Sequence, residues 1–219
     1  GIELPDKDVY FKDDDVVIYC SDCRDILPLI PDKSIDLVLT DPPYKEEMIP
    51  IYGDIAKQAA RVLKDGKFLY AYAGAMFLPQ IIDSMAQYLT WFWLHNLRHN
   101  RGYPTIWKVH MQQNSKPILT FTNGKYELSS LKWSFTDFTK DKPDKNFHKS
   151  WGQGIEVPLE IILMRTQEDD IVLDPCIGGG QMPMAAKVLG RKCIGIEISE
   201  EYCQIAVNRL RQSVMKLNT

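Results

Sequence analysis

Short apolar runs alternate with amphipathic segments along most of the chain. The apolar runs are rich in β-branched and aromatic residues and have the length of buried strands; they cover residues 16–20, 35–40, 68–72, 171–174 and 193–197. The segments between them have helical spacing, and we predict helices over residues 23–30, 51–63, 77–88, 158–164 and 182–189 and after Ser199. This alternation predicts an α/β fold with a mostly parallel sheet and helices on both faces.

Turn residues divide this pattern further. Lys64-Asp65-Gly66 is predicted to end the helix over residues 51–63. From Trp91 to about Trp151 the alternation breaks down, and Asn123-Gly124 predicts a hairpin turn after a strand over residues 118–121. We interpret this segment as sheet edge with an inserted recognition region. Residues 1–219 are thus predicted to form one domain, with the insertion at residues 95–150.

Charge separates the insertion from the rest of the chain. The net charge is −3, yet residues 95–149 carry ten Lys and Arg against four Asp and Glu, so this part has +6 and the remainder −9. A basic insertion in an acidic scaffold fits local contact with a polyanion. Taken alone, the charge fits a solvated, lysine-rich loop equally well.

Composition excludes several other classes of protein. Hydrophobic residues make up 45% of the chain and charged residues 25%, which is typical of a globular protein. No apolar stretch approaches the roughly 20 residues that span a bilayer, and we see no signal peptide. Five scattered cysteines fit a reducing cytosol. Cys20-x-x-Cys23 has no second pair at zinc spacing, so we predict no metal site. Because no apolar stretch is long enough to span a bilayer, we also predict no membrane partner.

Asp41-Pro42-Pro43-Tyr44 directly follows the predicted strand over residues 35–40. Two prolines make the loop rigid. It presents a carboxylate, backbone carbonyls and an aromatic face, which together can hold a planar base by its amino group. A strand-ending turn without chemical function is the alternative.

A glycine loop, Asp174-Pro175-Cys176-Ile177-Gly178-Gly179-Gly180, follows another predicted strand. Glycines allow close approach of the backbone to a ligand. The next strand ends at Glu197, 23 residues after Asp174, which is typical of an acid that binds a ribose. Pro183 stands where a dinucleotide fingerprint has its third glycine, so a nucleoside cofactor without pyrophosphate fits, namely S-adenosylmethionine (SAM). A tight turn beside a surface acid is the alternative.

Together these residues resemble the amino-group DNA methyltransferases in their permuted, beta-type arrangement. In that arrangement Asp-Pro-Pro-Tyr precedes the SAM motif, and target recognition lies between them, as in this chain. The likeness covers nearly the whole chain and includes Ser21-Asp22-Cys23, which is similar to a segment that contacts the cofactor adenine. The resemblance implies a Rossmann-like methyltransferase fold, SAM as cofactor, DNA with an extruded base as partner, and a bacterial or phage cytoplasm.

The chain departs from the family pattern at three places. Cys176 replaces a phenylalanine, Gly178-Gly179-Gly180-Gln181 replaces Gly-Ser-Gly-Thr, and Gln153 with Val157-Pro158 is the nearest match to Gln-Lys-Pro. These departures keep open a non-catalytic nucleic-acid-binding subunit with a degenerate SAM fold.

The resemblance and the charge pattern assign the site residues. Catalysis is assigned to Asp41, Pro42, Pro43 and Tyr44, with the amine bonded by the Asp41 carboxylate and the Pro42 carbonyl and the base stacked on Tyr44. Cofactor binding is assigned to Asp22, Thr40, Asp174, Pro175, Cys176, Gly178, Gly180 and Glu197. Phosphate contacts are assigned to Arg98, Arg101, Lys108, Lys116, Lys132 and Lys149.

The predicted function is therefore site-specific methylation of adenine N6 in DNA. Asp41, where a serine would favour cytosine, points to adenine. Cytosine-N4 methylation and methylation of RNA remain alternatives, whereas Asp41 in place of an asparagine disfavours a protein glutamine as substrate. The insertion is short, which fits a brief target sequence or recognition shared with a second subunit or a second copy of the chain.

Overall fold

The computed structural model describes residues 2–99, 105–106, 109–128, 136–140 and 154–217. Its strands are β1 (Val9–Lys12), β2 (Val16–Cys20), β3 (Ile35–Thr40), β4 (Leu63–Tyr72), β5 (Thr90–His99), β6 (Thr105–Ile106), β7 (Met111–Gln112), β8 (Ser115–Thr122), β9 (Asp137–Lys140), β10 (Ile171–Asp174) and β11 (Lys192–Glu197). Its α-helices are α1 (Cys23–Ile26), α2 (Ile49–Val62), α3 (Leu78–Ala86), α4 (Glu156–Arg165), α5 (Gln181–Val188) and α6 (Glu200–Leu217). Single 3₁₀ turns cover Leu27–Leu29, Glu46–Met48 and Ala75–Phe77.

A nine-stranded sheet in the order β1-β2-β11-β10-β3-β4-β8-β5-β9 forms the centre of the molecule. The five strands from β2 to β4 in this order are mutually parallel. Strand β8 runs antiparallel between β4 and β5, and β1 runs antiparallel to β2. The predicted mostly parallel α/β sheet is confirmed.

Side chains alternate between two cores, one on each face of the sheet. Along β3, Val38 packs with α1, α2 and α3, whereas Leu37 and Leu39 pack with α4, α5 and α6. All three are fully buried, which explains why three apolar residues follow one another in β3 in place of strict alternation. Among the described helices, none combines the length and apolarity needed to cross a bilayer.

Two predictions, the end of one helix and one hairpin, are wrong, and the pairing of strands explains both. The helix over residues 51–63 ends at Val62 and Leu63 already begins β4, so Lys64-Asp65-Gly66 lies within a strand. Gly66 takes a φ of +72° and donates its N–H to the Asn123 carbonyl at 2.8 Å. The strand before Asn123-Gly124 exists as β8, but its partners are β4 and β5, which both precede it in the chain. The expected hairpin across Asn123-Gly124 is therefore absent from the described residues.

Candidate active site

A cavity of about 680 Å³ opens at the carboxyl ends of β3 and β10. These strands are neighbours in the sheet. Chain direction diverges there, because β3 continues through α2 to β4 on one side and β10 through α5 to β11 on the other. Such a switch point is where open α/β sheets bind ligands. The predicted site residues that line the cavity are Asp22, Asp41, Pro42, Pro43, Tyr44, Lys116, Pro175, Cys176, Gly178 and Glu197.

Glu197 has a carboxylate that the backbone holds in place. Its Oε2 accepts a hydrogen bond from the Gly178 N–H and its Oε1 accepts one from the Ser199 N–H, both at 2.9 Å. The acid at the end of β11 is thereby tied to the glycine loop after β10. Each carboxylate oxygen has a second lone pair with which to accept a hydroxyl group.

Asp22 caps the first helix at the same cavity. Its Oδ1 accepts a hydrogen bond from the Arg24 N–H at 2.9 Å. The Arg24 guanidinium also bonds to this carboxylate and lowers the pKa of Asp22. Asp22 is thus a charged group at the wall of the cavity.

Asp174 lies below the cavity and is fully buried. Its Oδ1 accepts a hydrogen bond from the Cys176 N–H at 3.0 Å, which shapes the start of the glycine loop. Burial raises the pKa of Asp174 to about 8, although the Cys176 amide and the Thr40 hydroxyl act in the opposite direction. Thr40 is likewise fully buried. Neither residue lines the cavity, and Asp174 supports the loop after β10 from beneath, so the contact of both residues with the cofactor stays a prediction.

Gly180, predicted as a cofactor contact, lies where two helices pack, so its contact with the cofactor stays a prediction. Its φ is +80°, and a Cβ at this position would lie 2.7 Å from the Ala206 Cβ. Gly180 therefore allows α5 to pack against α6, and it is not among the residues that line the cavity.

The Asp41-Pro42-Pro43-Tyr44 loop forms the opposite wall. The Tyr44 hydroxyl donates to Asp41 Oδ1, and burial of this hydroxyl, together with the Asp41 charge, raises the pKa of Tyr44 well above its usual range. Tyr44 remains 38% exposed, so part of its side chain is open to the cavity. The Tyr52 hydroxyl donates to the Tyr72 carbonyl at 3.1 Å and lies 3.4 Å from the Pro42 carbonyl, which anchors the loop to α2 and β4.

Lys116 is not the surface phosphate contact that the sequence suggested. It is buried, and its Nζ donates to both carboxylate oxygens of Asp41, at 3.0 and 2.8 Å. The sheet order explains this placement, because β8 lies beside β4 and β4 beside β3. A single charge within the otherwise uncharged strand β8 was the available signal of a buried partner.

Gly74 is a supporting residue that sequence reasoning missed. A Cβ at Gly74 would lie 3.1 Å from the Tyr44 Cβ. The absence of a side chain here lets the Tyr44 side chain approach the segment after β4. Its position directly beyond the strand over residues 68–72 was the only hint in the sequence.

Among the other residues predicted to contact DNA, Arg98 is the one that the structure describes. Arg98 is exposed on β5 and pairs with Asp137 at 2.8 Å, so its role in phosphate contact stays a prediction. The remaining candidates lie outside the described residues, as does Gln153; these candidates are Arg101, Lys108, Lys132 and Lys149. Within the part of the chain that the structure describes, no three His, Cys, Asp or Glu side chains cluster as metal ligands do.

Comparison with known proteins adds a family and its relatives. The family described as DNA methylase matches residues 35–208. The type II methyltransferase M.HpaI of Haemophilus parainfluenzae is 27% identical over 232 residues, covering 88% of this chain and 73% of the relative. The type II methyltransferase M.BglII of Bacillus subtilis is 27% identical over 244 residues, covering 86% of this chain and 67% of the relative.

Two solved structures share the fold. The PvuII DNA methyltransferase, described as cytosine-N4-specific, superposes with a TM-score of 0.78 at 17% identity, covering 93% of this chain and 89% of that one. The complex of M1.HpyAVI with SAM superposes with a TM-score of 0.71 at 23% identity, covering 89% of this chain and 98% of that one. The predicted Rossmann-like methyltransferase fold is thereby confirmed.

Proposed function

We propose that the chain methylates the N6 amine of adenine in DNA. The chain belongs to the DNA methylase family of amino-methyltransferases, which act on adenine N6 or cytosine N4. Membership of this family makes the chain a SAM-dependent DNA amino-methyltransferase. The observation that carries the choice of adenine is the carboxylate of Asp41 at the cavity wall, beside Pro42, Pro43 and Tyr44. Cytosine N4 is the second candidate, and the close fold similarity to the cytosine-N4-specific PvuII enzyme favours it.

The residues of the cavity fit SAM. Glu197 is held by two backbone amides and can accept the hydroxyls of a ribose. A Cβ at Gly178 would meet no atom within 4 Å, so the glycine loop leaves open space beside this carboxylate. When bound, SAM supplies a methyl group on a positively charged sulfur. Asp22 adds a negative charge to the same wall.

The catalytic loop supplies positioning and charge complementarity. An exocyclic amine is a poor nucleophile because its lone pair is delocalised into the ring. Hydrogen bonds from the amine to the Asp41 carboxylate and the Pro42 carbonyl favour a localised lone pair directed at the methyl donor. Preorganisation of both acceptors by Tyr44 and Tyr52 reduces the rearrangement that is needed when a base arrives.

The base must leave the duplex to reach this loop, which costs a few kcal/mol. Stacking on the open part of Tyr44 offsets about 1–3 kcal/mol of that cost. Transfer is direct, so the chain needs no covalent intermediate with a side chain. Cys176, although it lines the cavity, has a thiol pKa raised well above its usual range by its contact with Cys23 and by burial, which is unsuited to a nucleophile.

The test of the proposal is direct identification of the methylated base. The protein is incubated with SAM carrying a labelled methyl group and with unmethylated DNA, and the DNA is digested to nucleosides. We expect label in N6-methyladenine. Label in N4-methylcytosine would establish the second candidate. RNA of the same sequence is the parallel substrate, and bound SAM without transfer to either polymer would instead indicate a non-catalytic subunit.

Asp41→Ala and Asp41→Asn are expected to lower transfer about 10²–10³-fold, the usual cost of removing a group that stabilises the transition state. SAM affinity should change less than about 3-fold, because Glu197 and the glycine loop are untouched. Asp25→Ala is the matched control, since Asp25 is an exposed acid that does not line the cavity. Transfer and SAM affinity are measured on the same preparations, and an equal loss of both would assign Asp41 to cofactor binding.

A further inference from the structure

Lys116 is a buried cation inside the candidate active site. Only 7% of the residue is exposed. Its Nζ lies 4.5 Å from the centre of the Tyr44 ring and 4.7 Å from the centre of the Tyr72 ring, and it bonds to both oxygens of Asp41. The backbone beside it is fixed, because the Pro117 carbonyl accepts the Ala73 N–H at 3.0 Å. The ammonium group is thus held from β8 between a carboxylate and two aromatic faces.

This arrangement is a poor device for stability. Removing an ammonium and a carboxylate from water costs several kcal/mol per ion, and replacing a buried ion pair by apolar residues is often neutral or stabilising. Burial lowers the pKa of Lys116, while the Asp41 charge raises it. A methionine could fill the same space beside Tyr44 and Tyr72 without this cost. The pair therefore points to a role in the chemistry of the loop.

Several other groups act on the Asp41 carboxylate. Within the part of the chain that the structure describes, the titratable groups that act on it include Tyr44 in the same loop, Tyr52 on α2, Tyr72 on β4, Lys116 on β8 and Asp174 on β10. Of these, Lys116 is the group that brings positive charge to Asp41; the Tyr44 hydroxyl adds a neutral hydrogen bond to the same carboxylate, whereas Tyr52, Tyr72 and Asp174 bring no positive charge. A neutral acid would accept the hydrogen bond of an amine poorly, because its acceptor strength is lower than that of a carboxylate.

We propose that Lys116 is a positioning residue for Asp41, whose ammonium group keeps the carboxylate ionised and oriented at the cavity wall where the amine of the base binds. The inference rests on the proposed methylation of a nucleobase amine and applies equally to adenine and cytosine. Two bonds from one ammonium group to both carboxylate oxygens restrain the rotation of the carboxylate, and a fixed acceptor is what directing the amine requires.

The test compares Lys116→Met, which removes the charge, with Lys116→Arg, which keeps it. For Lys116→Met we expect kcat to fall about 10- to 100-fold, less than the 10²–10³-fold cost of removing a group that contacts the transition state directly. KM for DNA and the dissociation constant for SAM should change less than about 3-fold. The acid limb of the pH profile of kcat should move to higher pH in Lys116→Met and stay near the wild-type position in Lys116→Arg.

Two outcomes would overturn the proposal. The first is an acid limb that does not move in Lys116→Met, whatever the loss in kcat. The second is an equal loss of kcat in Lys116→Met and Lys116→Arg with unchanged profiles, which would mean that the charge of Lys116 does not act on Asp41. Thermal unfolding of all variants confirms that the proteins compared are folded.

A measurement without turnover separates this inference from the proposed function. The ¹³C carboxyl signal of Asp41, assigned with Asp41→Asn, is titrated in the wild type and in Lys116→Met. A titration at higher pH in Lys116→Met supports the positioning role even if the wild type transfers no methyl group to DNA. Coincident titration curves would overturn it, even if the wild type is an active methyltransferase.

Discussion

At the scale of single residues, the two acids of the cofactor side differ because their surroundings differ. Glu197 accepts two backbone N–H groups at the cavity wall, whereas Asp174 lies fully buried beneath it. With a pKa of about 8, Asp174 is mostly protonated at pH 7. The sequence predicts the same cofactor-binding role for both acids, because each lies at the end of a strand. It does not show how deeply either side chain is buried.

Burial of Asp174 makes stability depend on pH. Its folded-state pKa of about 8 exceeds the value of about 3.9 in an unfolded chain, so the folded protein binds the proton more tightly. The resulting stabilisation is complete below about pH 4 and is lost as pH rises through about 8. As pH rises from 5 to 8, we expect the free energy of unfolding of the wild type to fall relative to that of Asp174→Asn, by at most about 1.4 kcal/mol per pH unit.

Urea unfolding of both proteins from pH 5 to 9, without SAM, measures this difference. Asp25→Asn is the control, since Asp25 is exposed on α1. Parallel pH profiles for the wild type and Asp174→Asn would show that Asp174 is ionised in the folded protein.

At the scale of elements, the turn between β10 and α5 uses two glycines for different purposes. Gly178 has a φ of +47° with open space around its missing side chain, and Gly180 has a φ of +80° in contact with Ala206 on α6. The first leaves room beside the Glu197 carboxylate, and the second sets the packing of two helices. The glycine motif alone does not distinguish these purposes, because both depend on which element packs against the turn.

Alanine at each glycine should separate the two purposes. Gly180→Ala combines a left-handed backbone, at about 1–2 kcal/mol, with overpacking against Ala206, at about 1–3 kcal/mol, so we expect a loss of about 2–5 kcal/mol in stability. Gly178→Ala should cost about 1–2 kcal/mol and weaken SAM binding more than Gly180→Ala does. Chemical unfolding and SAM titration of both variants check this, and the reverse order of stability would contradict the packing role of Gly180.

The ends of a strand could be predicted where the limits of its apolar run are visible in the sequence. Strands β2, β3 and β10 match the predicted residues because turn residues or prolines close each run. The start of β4 was not predictable, since Leu63 joins the strand through its pairing with Ile35. The placement of Lys116 beside Asp41 was likewise hidden, because the sequence does not give the sheet order that brings β8 near β3.

At the scale of the whole molecule, charge is divided between scaffold and insertion. The +6 of residues 95–149 contrasts with the −9 of the remaining chain. An acidic body repels a polyanion over most of its surface and leaves the basic part as the favourable approach. This division fits DNA binding through the insertion, which stays a prediction from the sequence, as do its boundaries at residues 95–150.

The salt dependence of DNA binding tests this division. Each lost phosphate contact reduces the slope of log K against log salt concentration by about 1. We expect such a reduction for Lys132→Ala and for Lys149→Ala, with affinity lowered for all DNA sequences. Lys57→Ala, an exposed lysine on α2, is the control and should leave the slope unchanged. Equal slopes for all three variants and the wild type would remove both lysines from the DNA contact.

The order of strands in the sheet also constrains how the chain folds. Strands β2 and β3 are separated in the sheet by β11 and β10, which come from the far end of the described chain. During synthesis β1 can pair with β2, and β3 with β4, but one edge of β2 and one of β3 stay open until residues 171–197 have emerged. Pairing between such distant segments is slow, and open strand edges invite association with other chains. Strands β2 and β3 are therefore both open to misassembly in the nascent protein, and β3 is the strand that leads into Asp41-Pro42-Pro43-Tyr44.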